Sequence, residues 1–205
     1  MRSSPNLRLV VAVTGASGSI YGWRLLEKLQ AWEGIEVHLV LSRSGERTAH
    51  LELGKSAADF KALADCSYSP EDIGCRLASG SFLMAGMVIA PCSIHTMSSI
   101  AHGISSNLIV RAADVTLKEH RKLVLMVRES PFHLGHLRSM TALAEMGAIV
   151  APPVPGFYHR PETVADIVEY SVDRVLDLIG LPSPETRRWD GPARPAAGSP
   201  ARGSE

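Results

Sequence analysis

Arg8-Leu9-Val10-Val11-Ala12-Val13 runs without a break into Thr14-Gly15-Ala16-Ser17-Gly18-Ser19, and this junction decides the fold. After Arg8 the run is short, apolar and rich in β-branched residues, as a strand covered on both faces requires. Ile20 to Leu29 continues with helix-forming residues, so the small-residue turn sits at a helix N-terminus. Unpaired N–H groups there, with the Ser17 and Ser19 hydroxyls, can hold an anion, and the helix dipole adds to the attraction. The motif points to a nucleotide-type cofactor; a Ser-capped turn with no ligand is the plainer reading.

What the junction lacks narrows the cofactor. A dinucleotide site needs Gly-x-Gly-x-x-Gly and an acidic residue about 20 positions on for the ribose diol. Here the glycines fall at Gly15, Gly18 and Gly22, and the second strand, Glu36 to Leu41, ends in Ser42-Arg43-Ser44 with no carboxylate at its tip. Hydroxyls and an arginine suit a phosphate or a flavin edge better than an adenosine ribose. A short-chain dehydrogenase would need a Tyr-x-x-x-Lys pair, and none of Tyr21, Tyr68, Tyr158 or Tyr170 has a lysine four residues on.

Outward from the junction, strands and helices alternate. Strands are expected at 8–13, 36–41, 85–90, 122–127 and 148–151. Helices are expected at 18–31, 45–64, 70–76, 95–102, 107–121, 134–146 and 162–179. The alternation predicts a single three-layer α/β domain, Rossmann-like (flavodoxin-like), with a parallel sheet. A chain of 205 residues, 45% hydrophobic, suffices for one buried core and hardly for two. The domain is expected over 1–181, with a tail at 182–205 dominated by Pro, Gly, Ala, Ser and Arg, in which Trp189 is the only large apolar group. Lys and Arg together number 21, as do Asp and Glu, so no global field favours nucleic acid or a membrane surface. The apolar runs are too short to span a bilayer and the start lacks a secretory core, so a cytoplasmic protein is expected. Cys66, Cys75 and Cys92 show no paired metal-ligand spacing; reduced thiols are expected rather than a disulfide or zinc framework, and no metal is called for.

In open α/β sheets ligands collect at the carboxyl ends of the strands, and those ends are rich in reactive groups. Strand 85–90 leads into Pro91-Cys92-Ser93-Ile94-His95-Thr96, strand 122–127 into Arg128-Glu129-Ser130-Pro131, and strand 148–151 into a proline-stiffened loop ending in Phe157-Tyr158. On helix 107–121, Arg111, Asp114 and Lys118 share a face. That face is either a solvated salt-bridge stripe or, given Ala112, Ala113 and Val115 beside it, a surface packed against a second subunit. On the last helix Arg174 lies at the margin of a core stripe, where it is as readily a rim salt bridge as a ligand. The eight histidines form no metalloprotease pattern, and Ser93 lies outside any Gly-x-Ser-x-Gly elbow.

Several of these segments, in this order, resemble one family. They are Thr14-Gly15-Ala16-Ser17-Gly18, Ser79-Gly80-Ser81-Phe82, Pro91-Cys92-Ser93, Asn107 through Arg111 to Lys118-Glu119, Arg128-Glu129 and Gly156-Phe157-Tyr158. The chain is similar, from about residue 8 to Trp189, to the UbiX/Pad1 family of flavin prenyltransferases. The resemblance implies transfer of a dimethylallyl group from dimethylallyl monophosphate to N5 and C6 of reduced FMN, the product being prenylated FMN for a UbiD-type decarboxylase. It implies that Gly15, Ala16, Ser17, Ser42, Ser93, Ile94, His95, Thr96 and Arg128 hold FMN. Arg111, Lys118, Glu129, Tyr158 and Arg174 would surround the prenyl phosphate, with Ser17, Glu52, Glu129 and Trp189 in catalysis. It further implies a homo-oligomer, a dodecamer, with sites at subunit junctions. Ser105-Ser106 departs from the Asp or Asn the family commonly carries there, which would alter one helix cap. The alternatives are an FMN-dependent cysteine decarboxylase of the same fold, a phenolic-acid decarboxylase component, and a flavin carrier without turnover.

Overall fold

The computed structural model describes residues 7–182. In chain order the elements are β1 (Leu7–Val13), α1 (Ser19–Gln30), β2 (Ile35–Leu41), α2 (Arg43–Leu53), α3 (Ala57–Lys61), β3 (Cys66–Tyr68) and, after a 3-10 turn at Arg76–Ala78, β4 (Gly86–Cys92). Then follow α4 (Ile94–Ala101), α5 (Leu108–Lys118), β5 (Lys122–Val127), α6 (Leu134–Glu145), β6 (Ile149–Val150) and α7 (Val164–Ile179). Among the described residues the strands form one sheet in the order β3-β2-β1-β4-β5-β6, and every pairing is parallel. This is the doubly wound Rossmann order, whose direction reverses between β1 and β4 and opens a crevice at their carboxyl ends.

The period-2 geometry of β1 sorts its side chains into two cores. Leu9, Val11 and Val13 join Leu25, Leu26 and Leu29 of α1 and Val168, Val172, Val175 and Leu176 of α7. Val10 and Ala12 join Met97 and Ile100 of α4 and Leu108, Ile109, Val110 and Val115 of α5 on the other face. Each fully buried aliphatic side chain contributes about 1.5–3 kcal/mol, which explains why β1 reads as a nearly continuous apolar run. Backbone contact seats α1 closely: a Cβ on Gly22 would lie 2.3 Å from the carbonyl oxygen of Ala90 on β4.

Four local expectations are corrected. The stretch 45–64 is two helices, because Gly54 adopts the left-handed conformation (φ 65°) at the C-cap of α2, and Ser56 with Asp59 forms a capping box that starts α3. β3 went unread because three residues, Cys66-Ser67-Tyr68, are too few to show alternation. No helix spans 70–76; that segment is turns leading to the 3-10 turn. Helix 107–121 ends at Lys118, with His120 at φ 53°, and its cap is Asn107, whose side chain accepts from the Val110 N–H, so Ser105 and Ser106 do not bear on it. Among the described residues no helix is long and apolar enough to cross a membrane.

Candidate functional site

The carboxyl ends of β1, β2, β4 and β5 are tied into one platform by short polar bonds. The buried Thr14 hydroxyl donates to the Pro91 carbonyl at 2.8 Å and accepts from the Ser93 N–H at 2.8 Å. The Ser42 N–H donates to Val13 O at 3.0 Å, and the Arg128 N–H donates to Cys92 O at 3.1 Å. Three predicted turns, at Gly15–Ser17, Ser42 and Ser93–Thr96, and the predicted Arg128 are therefore carried on neighbouring strand ends at the switch point. The first two turns touch: a Cβ on Gly15 would lie 2.4 Å from the Ser44 Cβ.

Two helices begin on this platform with hydroxyl caps. Ser42 accepts from Gly45 N–H at the start of α2, and Ser93 accepts from Thr96 N–H at the start of α4, where its hydroxyl also donates to Thr96 Oγ1. The first turn of α4 carries no acidic residue, so its dipole is free to favour an incoming anion. Arg128 is exposed beside it. Burial pushes the Tyr21 hydroxyl above its ordinary value, and the nearby Arg128 charge works against that. Cys92 is fully buried, and burial pushes its thiol up, so it is no nucleophile.

The start of α1 differs from its sequence reading. Its cap, Gly18, is left-handed (φ 103°) and supplies no side chain. The anion at this helix end is the chain's own Glu52, which reaches over from α2 and accepts from Gly18 N–H at 3.0 Å and Ser19 N–H at 2.9 Å. Burial opposes ionisation of Glu52, but the Ser17 hydroxyl and the Ser19 and Gly18 amides outweigh it and hold the carboxyl below its ordinary range. The Gly18–Ser19 end of the turn thus presents a carboxylate to the crevice instead of an empty anion cradle, and Ser17 lies beside it.

The remaining predicted residues fall into two further groups. Tyr158, on the loop after β6, hydrogen-bonds to the Tyr170 hydroxyl on α7. That bond, more than burial, raises Tyr170 above its ordinary value, while the charge of Arg174 one turn on lowers it, so Tyr158, Tyr170 and Arg174 are brought together. Arg174 also pairs with Asp177 at 3.8 Å and lines the hollow beneath Pro152 and Pro153. Glu129 is half-buried and accepts from the Ser130 N–H at 2.9 Å. On α5, Arg111 pairs with Asp114 at 2.7 Å, and Lys118 pairs with Glu119 at 2.5 Å beside Gly80. Lys118 precedes β5 and Gly80 precedes β4, so both lie at the amino ends of the strands, a β5 length of about 20 Å from the platform. Within one chain Lys118 does not meet Ser93 or Arg128. Trp189 lies outside the described residues.

Sequence reading passed over Thr14 as a mere opener of the glycine turn, and missed Tyr170, Tyr21 and Arg121. Arg121 holds the Gly80-Ser81-Phe82 loop through two carbonyls, Gly80 O and Phe82 O, both at 2.8 Å. Tyr170 carried a usable signal: it lies four residues before Arg174 and so shares its helix face.

The chain matches the model of the Flavoprotein family over residues 1–176. It is 54% identical over 185 residues to the flavin prenyltransferase UbiX of Thauera aromatica, covering 90% of this chain and 95% of that protein. It is 51% identical over 186 residues to the flavin prenyltransferase UbiX of Escherichia coli K12, covering 90% and 98%. Among solved structures, a dodecameric FMN-dependent UbiX-like decarboxylase from Escherichia coli O157:H7 superposes with a TM-score of 0.88 at 48% identity, covering 90% of this chain and 100% of that one. AnUbiX (PadA1), solved in complex with FMN and dimethylallyl pyrophosphate, gives 0.88 at 40% identity, covering 91% and 98%. The peptidyl-cysteine decarboxylase EpiD, at 17% identity and a TM-score of 0.61, shares the fold alone.

Proposed function

Because this chain belongs to the flavoprotein family and, within it, to the UbiX-type flavin prenyltransferases, we propose that it joins the dimethylallyl group of dimethylallyl monophosphate to N5 and C6 of reduced FMN. The product, prenylated FMN, is handed to a UbiD-type decarboxylase, and the protein works in the cytoplasm. The observation that carries this reading is the platform at the switch point, where hydroxyl-capped helix starts and Arg128 stand on strand ends locked together by Thr14.

The donor set fits FMN. Ser42, Ser93 and Thr96 offer hydroxyls, Ile94 and His95 offer first-turn amides, and Arg128 offers a guanidinium for the flavin's anionic and carbonyl groups, while Gly15 and Ala16 give it a floor without bulk. Reduced FMN supplies the nucleophilic N5 and the C6 carbon at which the new ring closes. The rest falls to the protein. The phosphate, Glu52, held ionised by its bonds at the start of α1, or Ser17 would take the proton lost at C6. Tyr158, Arg174, Arg111 and Lys118 would hold the phosphate and take up charge as its bond to the allylic carbon breaks, and Glu129 would pass it a proton. An aromatic face such as that of Trp189 would stabilise cationic character on the allyl group.

Lys118 lies at the far end of its own sheet, so a complete phosphate site takes α5 from a neighbouring copy. The dodecameric assembly of the Escherichia coli O157:H7 relative supports this; Ala112, Ala113 and Val115 beside Arg111 are buried in the chain's own core, so the expectation that they mark a subunit face is corrected. Replacing Lys118 by Ala is expected to abolish prenyl transfer while FMN still binds, measured by flavin fluorescence titration alongside product formation. Loss of FMN binding in the same variant contradicts the division of roles. Release of carbon dioxide from a phenolic acid by the purified protein alone would favour the decarboxylase reading instead.

A further inference from the structure

Away from the platform, near the sheet edge, three unlike donors converge. Glu36 and His38 lie two residues apart on one face of β2, and Cys66 of the edge strand β3 pairs in register with His38. One oxygen, nitrogen and sulfur atom from the three lie within 4.8 Å of one another. The His38 ring is fully buried, yet its Nε2 makes no hydrogen bond, although Glu36 Oε1 is only 3.3 Å away. A buried ring nitrogen without a partner is costly. We propose that Glu36, His38 and Cys66 form a binding site for a divalent, thiophilic transition-metal ion of the zinc class, distinct from the prenyl-transfer site.

The neighbours of the three donors are arranged as such a site needs. Arg8 Nε donates to Glu36 Oε2 at 3.0 Å, which fixes the carboxylate and leaves Oε1 turned toward His38. The 3.3 Å separation between Nε2 and Oε1 carries no hydrogen bond. It equals the span of about 3.3 Å between two ligands at ~2.0 Å from a tetrahedral zinc. The other ring nitrogen, His38 Nδ1, lies 3.0 Å from the Tyr68 hydroxyl. When Nδ1–H donates to that oxygen, the Nε2 lone pair faces Glu36. The Tyr68 hydroxyl also interacts with the Cys66 side chain, so one phenol orients two donors, the outer-shell arrangement typical of metal sites. Phe82 meets the His38 ring edge-on at 5.2 Å and shields it. Glu36 and Cys66 are only half-buried, which leaves an entry path and a fourth position for water. With the thiol ionised, the donors carry two negative charges, of which that of Glu36 is shared with Arg8. The metal would pin the short edge strand β3 to β2.

The test is a Co2+ titration of the full-length, reduced, chelator-stripped protein, followed by Zn2+ displacement and read by thiolate-to-cobalt charge-transfer absorption. The expected result is a band that saturates at one equivalent and is removed by Zn2+. Cys66→Ser should lose it while circular dichroism and FMN binding are unchanged, and Cys75→Ser should keep it. Tyr68→Phe, which leaves all three donors in place, should weaken Co2+ binding about 10–100-fold. No band in the native protein, a band that survives Cys66→Ser, or one that disappears with Cys75→Ser overturns the proposal.

Discussion

At the scale of single residues, Thr14 shows how one buried hydroxyl sets the site. It bridges the Pro91 carbonyl and the Ser93 N–H, so Thr14→Val leaves a half-buried amide without its partner and tilts the Ser93–Thr96 turn. The expected cost is about 1–3 kcal/mol, seen as a lower urea midpoint at unchanged slope, with weaker FMN binding; Thr14→Ser should restore both. An unchanged midpoint in Thr14→Val would show that the bridge carries no weight. Glu52 gives a pH-dependent prediction. Its carboxyl is held below the ordinary 4.5, so its contribution is fully present above that pH and is lost as pH falls through the depressed value. Glu52→Gln should therefore lower stability by about 0.3–1 kcal/mol at neutral pH, and the gap between the two proteins in thermal melts should close in acid. A gap that stays constant from neutral pH to about pH 3 would contradict the assigned charge. Neither residue's role was legible in the chain, because each acts through partners far away in sequence: Thr14 through Pro91 and Ser93, Glu52 through Gly18 and Ser19.

At the scale of elements, the strand-turn-helix unit β1-α1 was readable because burial on both faces leaves an unmistakable apolar run, and the three glycines that follow have identifiable duties. Gly22 lets α1 lie against β4, so Gly22→Ala, whose Cβ would meet the Ala90 carbonyl at 2.3 Å, is expected to lower stability by about 1–3 kcal/mol by overpacking. A melting temperature equal to that of the parent protein would show that α1 can shift without cost. Elements stabilised by packing at a distance were harder to read. β3 borrows its register from β2 through three residues, and the break between α2 and α3 depends on one left-handed glycine and one capping box. The helix caps themselves were only partly legible: the turn Pro91 to Thr96 was read as leading into a helix, with no cap assigned to Ser93, and Asn107 takes the cap of α5 that the sequence left to Ser105-Ser106.

At the scale of the whole molecule, the sheet order places FMN-competent groups at one end and the Lys118 end of α5 at the other, so the proposed site closes only between copies. Arg128→Ala and Lys118→Ala should each be inactive alone, yet mixed oligomers of the two should regain activity, because some junctions then combine an intact Arg128 with an intact Lys118. Mixed oligomers without activity would place both groups in one chain's site. The separate halves of that site were legible as motifs; their union was not, since nothing in one chain's sequence states which copy supplies which face. The most direct measurement is anaerobic incubation of the purified protein with dithionite-reduced FMN and dimethylallyl monophosphate, followed by mass spectrometry of the released flavin. A flavin heavier by one C5 unit is the predicted result. Stoichiometrically bound but unmodified flavin, with the prenyl phosphate recovered intact, would contradict the proposed activity.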